Sequence, residues 1–212
     1  MRRSEQGFTL IEIMVVIAII ATLVAAVSLG IPLVKERSQK LQCQRNLADL
    51  GTLFTTYRLE KPGKPKYSGV ALFLWFRMKK DVPKGEEEKL LCPGDQSAKF
   101  PSAPEDRDAY DDITLSDPPT DMCSYAVRDF NKYPLKQDAG EKQIVACDRQ
   151  GQDNRTMHHK DGLMVLWDNG GANFMDREGL GLSIGSEDPI VVGPDSEQPF
   201  LKQVIVVAES KE

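Results

Sequence analysis

The sequence lacks the HExxH signature of zinc proteases and the glycine loop of phosphate-binding enzymes. It also has no long basic run, and its formal net charge is -5, so we expect no nucleic acid partner. The hydrophobic content of 41% nevertheless supports a folded core rather than a disordered chain. The composition therefore favours a structural or binding role, and we assign no catalytic residues.

Cysteine is scarce, and no two cysteines form a CxxC pair, so the spacing suggests no zinc site. If the domain lies outside the cytoplasm, one or two disulfides are expected, and three complete pairings are possible. We expect one cysteine on a long helix and the other three in the domain that follows. The candidates for disulfide formation are Cys43, Cys92, Cys123 and Cys147.

One apolar run is long enough to enter a bilayer. Residues 13–34 carry no charge. A helix rises about 1.5 Å per residue, so this run matches a hydrocarbon core of about 30 Å. Arg2 and Arg3 precede it, which predicts a cytoplasmic amino terminus, although Lys35 and Arg37 follow it. The sequence therefore predicts a single membrane-spanning helix.

Three ordinary interpretations of this run compete: a plain anchor, a signal peptide cut after Ala26, and a buried core helix. None of them explains Glu12, which stands at the start of the run. A carboxylate inside a membrane helix costs about 2.5–3.5 kcal/mol on insertion scales. We therefore expect Glu12 to have a functional partner.

Residues 7–12, GFTLIE, resemble the prepilin peptidase site of type IV pilins and type II secretion pseudopilins. A short basic leader precedes this motif and an unbroken apolar run follows it, as in those families. The resemblance implies cleavage between Gly7 and Phe8 by a prepilin peptidase on the cytoplasmic face. It also implies N-methylation of Phe8, so the mature chain would begin with a charged amine.

The resemblance gives Glu12 a physical role in assembly together with Phe8. In a filament of staggered helices, the Glu12 carboxylate can pair with the Phe8 amine of a neighbouring subunit. Pairing offsets much of the cost of removing both charges from water. A subunit out of register would leave a charge unpaired, so the pair would set axial position. On this hypothesis Glu12→Leu leaves cleavage and membrane insertion intact and impairs assembly.

A helical pattern continues beyond the apolar run. Five residues spaced four, three, four and three apart lie on one face of a helix. They are Cys43, Leu47, Leu50, Phe54 and Tyr57. We therefore predict one helix over residues 8–59, apolar all round in its first half and amphipathic in its second. Pilin helices have this same division.

The remainder of the chain predicts an α+β head, in which an antiparallel sheet packs on the long helix. A short buried helix is expected within residues 68–80, and an exposed irregular loop over the acidic, proline-rich residues 101–122. Strands are expected within residues 124–130, 142–147, 163–168, 172–176 and 200–209, with a hairpin at residues 169–171. The predicted organisation is a leader at 1–7, a transmembrane and filament-core helix at 8–34, its amphipathic continuation at 35–60, and a globular head at 61–212.

The head contains a second resemblance. Residues 91–95 (LCPGD), 123–125 (CSY) and 157–174 resemble a subgroup of bacterial pilin-like proteins with a Cys-Pro segment, a Ser-Tyr strand and a late histidine-containing turn. The chain departs from that pattern at residues 168–172, where DNGGA stands in place of the common Asp-Gly-His-Val.

Two kinds of chemistry in the head remain open. Cys147, His158 and Asp168 are residue types that form nucleophilic sites, although we expect His159 to be a hydrogen-bonding strut under a turn. Major pseudopilins of type II secretion bind calcium in a late loop, and residues 168–189 offer oxygen ligands in that region. Asp168, Asn169 and Asp176 could contribute. No residue-by-residue match holds, so calcium is possible and we assign no metal ligand.

The sequence thus predicts a filament subunit of a type II secretion or type IV pilus-like system. Its expected partners are other copies of itself or related pilins, a prepilin peptidase and an inner-membrane assembly platform. The head would face the periplasm or the outside. The alternatives are an anchored or secreted binding module and an extracytoplasmic enzyme that uses residues 158–168.

Overall fold

The computed structural model describes residues 8–95, 98, 101, 104–137, 139–149, 158–159, 161–183 and 190–205. The chain divides into two compact units, Met1–Ser38 and Gln39–Glu212. One helix, α1 (Leu10–Glu60), contributes residues to both units. Each unit is described by itself below.

The described residues of the first unit lie almost entirely in the amino-terminal part of α1. The helix continues through Pro32, which lacks a backbone N–H. Large apolar side chains such as Ile17 and Leu23 are more than half exposed. Among the residues that the structure describes, no helix has a stretch both long and apolar enough to cross a membrane. Membrane insertion of residues 8–34 therefore stays a prediction.

The second unit begins with the rest of α1, whose predicted apolar stripe is confirmed. Cys43, Leu47, Leu50 and Phe54 are fully buried, and Tyr57 is 9% exposed. The helix ends at Glu60, and a last helical hydrogen bond runs from the N–H of residue 61 to the Tyr57 carbonyl. Lys61-Pro62-Gly63 then follows, and a proline cannot continue the backbone ladder. This face of α1 forms one side of the core.

A second helix, α2 (Val70–Met78), packs on the same core. Its apolar residues are almost all buried, including Phe73 and Phe76. The ring of Tyr57 on α1 meets the ring of Trp75 edge-on, with centroids 5.4 Å apart. The prediction of a short helix buried against α1 is therefore confirmed.

The sheet has five antiparallel strands in the order β4-β3-β2-β1-β5. The strands are β1 (Tyr125–Arg128), β2 (Ile144–Asp148), β3 (Gly162–Trp167), β4 (Ala172–Asp176) and β5 (Val204–Ile205). Side chains alternate between the two faces. One face joins the core of α1 and α2, whereas the other packs on residues Leu180, Ile190 and Leu201. The α+β prediction is confirmed.

The hairpin between β3 and β4 forms where the Asn-Gly-Gly sequence indicated it. Leu166 pairs with Ala172, and the N–H of Trp167 donates to the Gly171 carbonyl at 2.9 Å. Gly170 has a φ of 82°, a left-handed conformation that glycine adopts without steric cost. The turn residues thus fix the register of these two strands.

The last predicted strand, residues 200–209, is only partly a strand. A 3-10 turn occupies Leu201–Gln203, and β5 follows as Val204–Ile205. Leu201 is fully buried in the core on the second face of the sheet. The N–H of Gln203 donates back to the Phe200 carbonyl, so the chain turns before it pairs with β1. Residues 206–209 lie outside the described residues.

The acidic stretch 101–122 is more ordered than the sequence indicated. It contains a short helix, α3 (Pro104–Asp108), and a 3-10 turn at Thr120–Met122. Tyr110 is 1% exposed, and its hydroxyl donates to the Met122 carbonyl at 3.2 Å. Tyr110 and Ile113 belong to the main core, so two apolar residues anchor a segment whose composition is otherwise that of a solvated loop.

Candidate functional site

The amino-terminal site predicted from the sequence is centred on Phe8 and Glu12. Phe8 lies two residues before the start of α1, and its side chain is 84% exposed. Gly7, the residue on the other side of the predicted scissile bond, lies outside the described residues. Glu12 occupies the first turn of the helix. The structure thus places the aromatic residue and the acid at the same helix end.

Thr9 and Glu12 form a capping box at the start of α1. The N–H and the hydroxyl of Thr9 both donate to Glu12 Oε2, at 2.8 Å and 2.7 Å. The Glu12 N–H donates to Thr9 Oγ1 at 3.3 Å. This reciprocal pattern satisfies backbone donors that a helix leaves without intrahelical partners. Its T-x-x-E signature is present at residues 9–12 of the sequence and is the local signal from which the cap could be predicted.

Capping does not exhaust the acceptor capacity of Glu12. Both bonds from Thr9 end on Oε2, and a carboxylate offers about four lone-pair sites. The carboxylate can therefore cap its own helix and also accept a hydrogen bond from another amine.

A buried cluster of polar side chains lies in the second unit. Its four members come from four segments: α1, the Cys-Pro segment after the 3-10 turn at Glu87–Leu90, the end of β2, and an isolated bridge before β3. They are Cys43, Cys92, Asp148 and His159, and their ligand-type atoms all lie within 4.8 Å of one another. We call these four residues the Cys-His-Asp cluster.

Short contacts connect the Cys-His-Asp cluster. Cys43 Sγ donates to Asp148 Oδ1 at 3.1 Å, and Cys92 Sγ lies 3.3 Å from His159 Nε2. The same His159 nitrogen lies 3.6 Å from Asp148 Oδ2. The Met164 N–H donates to that oxygen at 2.8 Å and so helps to fix the carboxylate. Each member of the cluster is at most 2% exposed.

The two sulfur atoms of the cluster differ in acidity. Burial raises the pKa of Cys43, as do its hydrogen bond to Cys92 and the charge of Asp148. Burial also acts to raise the pKa of Cys92, but hydrogen bonds with Cys43, His158 and His159 outweigh it and lower that pKa well below its usual range. Negative charge is therefore favoured on Cys92 rather than on Cys43.

A close backbone approach holds the Cys-Pro segment against the histidine turn. A Cβ added at Gly94 would lie 2.0 Å from the His158 carbonyl oxygen, so only glycine fits there. His158 Nε2 lies 3.3 Å from Asp95 Oδ2, and Arg149 Nη2 lies 3.5 Å from the same oxygen. These buried charges flank the Cys-His-Asp cluster.

One comparison with known protein families covers the amino-terminal region. Residues 2–28 match the family model of the prokaryotic N-terminal methylation motif. The chain carries the type IV pilin and pseudopilin signature. The chain matches no curated protein and no solved structure. The resemblance read from residues 7–12 is therefore confirmed, whereas the finer Cys-Pro subgroup stays a prediction.

The motif indicates a pilin-like or pseudopilin subunit of a type IV pilus or type II secretion filament. It implies processing by a prepilin peptidase and assembly with other pilin subunits. It also implies anchoring in the inner membrane before assembly. It points to a structural subunit rather than to an enzyme.

The cysteines of this pilin-like chain are all buried free thiols in the structure. Disulfide formation stays a prediction, and Cys43 and Cys92 are the pair that the fold brings within 4.8 Å. Cys123 lies in the main core, whereas Cys147 lies in the core on the other face of the sheet.

The nucleophilic grouping considered from the sequence does not assemble in the described residues. Cys147 packs among apolar side chains, while His158 faces Asp95. Asp168 instead accepts a hydrogen bond from the Gln143 N–H at 3.2 Å, beside the β3–β4 hairpin. The three residues therefore serve separate parts of the fold.

The oxygen ligands considered for calcium are used in local turns. Asn169 Oδ1 accepts from the Gly171 N–H at 3.0 Å, and Asp176 Oδ1 accepts from the Gly179 N–H at 2.8 Å. Residues 184–189 of that stretch lie outside the described residues. Calcium binding at Asp168, Asn169 and Asp176 stays a prediction, and we propose no site there.

Proposed function

We propose that this chain is a structural subunit of a type II secretion or type IV pilus-like filament. On this proposal it is cleaved after Gly7, methylated on Phe8 and assembled through packing of its amino-terminal helix. The observation that carries the proposal is the match of residues 2–28 to the methylation motif. The placement of Phe8 and Glu12 at the start of α1 supports it.

The surface of the first unit supports assembly. The large apolar side chains described between residues 8 and 34 are 50–84% exposed. A soluble monomer rarely exposes contiguous apolar patches beyond a few hundred Å². A helix that is apolar on all sides needs lipid or neighbouring helices around it. A pilin-like subunit uses both in turn, because it leaves the inner membrane as it enters the filament.

Glu12 connects processing to assembly. Cleavage creates the Phe8 amine, and the Glu12 carboxylate of a neighbouring subunit would accept from it. The capping box holds that carboxylate at the helix end before assembly, and it keeps acceptor capacity for the amine. An unpaired charge in an apolar filament core costs several kcal/mol, so correct register is favoured.

The partners on this proposal are other copies of the chain or related pilins, a prepilin peptidase and an inner-membrane assembly platform. Before assembly, residues 8–34 would span the cytoplasmic membrane once, with the head in the periplasm or outside. The head would then lie on the filament surface.

The test is the amino-terminal sequence and intact mass of the native protein, measured by mass spectrometry. We expect a chain that begins at N-methylated Phe8. A chain that begins at Val27 would mean ordinary secretion, and one that begins at Met1 would mean a plain anchor. Either result would overturn the proposal, and an extracytoplasmic binding module would become the better explanation.

A further inference from the structure

We propose that Cys43, Cys92, Asp148 and His159 form a buried structural site for a zinc-like divalent cation. The site lies entirely within the second unit, Gln39–Glu212, and joins α1 to the head. It is independent of the processing site, because none of its residues belongs to residues 2–28.

The donor set selects the class of cation. Two sulfurs, one imidazole nitrogen and one carboxylate oxygen are ligands that zinc takes in tetrahedral sites. Calcium and magnesium instead require six or more oxygen ligands in most protein sites. The Cys-His-Asp cluster has a single carboxylate, so it fits a softer cation.

The distances already approach those of a tetrahedral site. Zinc binds sulfur at about 2.3 Å and nitrogen or oxygen at about 2.0–2.2 Å, which separates neighbouring donors by roughly 3.3–3.8 Å. The contacts of 3.1 Å, 3.3 Å and 3.6 Å within the cluster lie near that range. No pair of ligand atoms exceeds 4.8 Å. Small side-chain movements would therefore complete the coordination.

The surroundings indicate a structural site rather than a catalytic one. All four side chains are buried, and four protein ligands leave no open position for water or substrate. The cation would tie α1 to the Cys-Pro segment, to the end of β2 and to the bridge at His159. These segments are distant in sequence, so the cross-link would stabilise the tertiary packing.

Neighbouring groups already orient the ligands. The Met164 N–H donates to Asp148 Oδ2, and the Tyr125 hydroxyl lies 3.7 Å from Cys43 Sγ. Such outer contacts position ligands in metal sites. Binding would release the Cys43 thiol proton, because zinc takes cysteine as the thiolate. The divalent cation would then offset two of the three negative charges carried by two thiolates and one carboxylate in the buried interior.

A Cys43–Cys92 disulfide is the main alternative use of the two sulfurs. It would employ the cysteines but would leave Asp148 and His159 facing a neutral bond. The convergence of all four side chains on one point favours a cation over a disulfide.

The first experiment measures zinc in the full-length protein, purified in detergent without a histidine tag from zinc-supplemented cells. Elemental analysis by plasma mass spectrometry gives zinc per chain, and X-ray absorption gives the ligand atoms. We expect about one equivalent of zinc with two sulfur neighbours near 2.3 Å. A metal-free protein with four free thiols, or one with a Cys43–Cys92 disulfide, would overturn the proposal.

Variants locate the zinc. Cys43→Ser and Cys92→Ser should lower the zinc content by at least about tenfold. Cys123→Ser removes an equally buried cysteine outside the cluster and should retain the zinc. Retention of full zinc by both Cys43→Ser and Cys92→Ser would overturn the assignment.

A measurement on the unaltered protein covers the case in which these variants fail to fold. A strong chelator should lower the melting temperature of the head, and added zinc should restore it. An unchanged melting temperature after complete zinc removal would overturn the structural role. The amino terminus of the same sample reports separately on the proposed function, so the two proposals can fail independently.

Discussion

The two halves of α1 place the same residue types in opposite environments. Leu23 in the first half is 60% exposed, whereas Leu47 and Leu50 in the second half are fully buried. The second half presents one apolar stripe, which α2 and the sheet cover. The described large apolar side chains of the first half are exposed, and no described residue of the first unit covers them. The second half is therefore stabilised by its own head, whereas an exposed helix that is apolar on all sides is stable only with lipid or neighbouring helices around it.

The largest expected effect is on filament assembly, and it leaves the stability of the head unchanged. Glu12→Gln keeps a capping-box residue but removes the charge, whereas Thr9→Ala removes the cap and keeps the charge. We expect Glu12→Gln to abolish filament formation in sedimentation and electron microscopy assays. Thr9→Ala should still assemble, because losing a cap costs only about 1 kcal/mol.

Both variants should be cleaved and should show the head stability of the unaltered chain. If Thr9→Ala failed to assemble and Glu12→Gln assembled normally, the role of Glu12 would be helix capping. The charge-pairing hypothesis would then be wrong.

The next largest expected effect is on the stability of the head and comes from the second half of α1. Phe54 is fully buried and stacks on Phe130 with ring centroids 5.6 Å apart. Phe54→Ala should lower the free energy of unfolding of the head by about 3–5 kcal/mol, measured by denaturant titration. Leu41→Ala on the same helix is the matched control, because Leu41 is 59% exposed. It should change stability by less than about 0.5 kcal/mol.

An equal loss in Leu41→Ala would mean that the exposed side of α1 is covered in solution. The second half of α1 would then be covered on more than its buried stripe, and the stated difference between the two halves would be wrong.

The features that could be predicted from the sequence have local signals. The methylation motif is contiguous, the buried stripe of α1 repeats every three or four residues, and Asn-Gly-Gly marks the hairpin. The capping box of Thr9 and Glu12 also has a local signal. The sequence did not indicate the 3-10 turn at Leu201–Gln203, because its apolar run is equally typical of a strand.

The Cys-His-Asp cluster could not be predicted from spacing. Its residues lie on four segments spread between positions 43 and 159, and only the tertiary fold brings them together. The lack of a CxxC pair removed the usual sequence signal for zinc. Burial of Asp148 at the end of β2 follows from the sheet register, which no local pattern specifies.

A smaller effect tests how closely α1 approaches the sheet. A Cβ at Gly51 would lie 2.5 Å from Leu166 Cδ1 and 2.8 Å from the Gly170 carbonyl oxygen. Gly51→Ala should raise helix propensity by about 1 kcal/mol, yet overpacking costs about 1–3 kcal/mol. We therefore expect a net loss of head stability that is smaller than for Phe54→Ala. The exposed neighbour Thr52→Ala is the control, and a stabilised Gly51→Ala variant would show that the hairpin can move away.

The smallest expected effect is on the reactivity of Cys123, and it leaves the stability of the head unchanged. Cys123 is fully buried, and burial raises its pKa to about 12. The thiolate is the reactive form, and at pH 8 only roughly one Cys123 in ten thousand would be ionised. We expect native protein to resist alkylation at Cys123 from pH 7 to pH 9, whereas denatured protein reacts fully, as read by peptide mass spectrometry. Rapid labelling in the native state would mean that the main core, which Cys123 shares with the second half of α1, opens in solution.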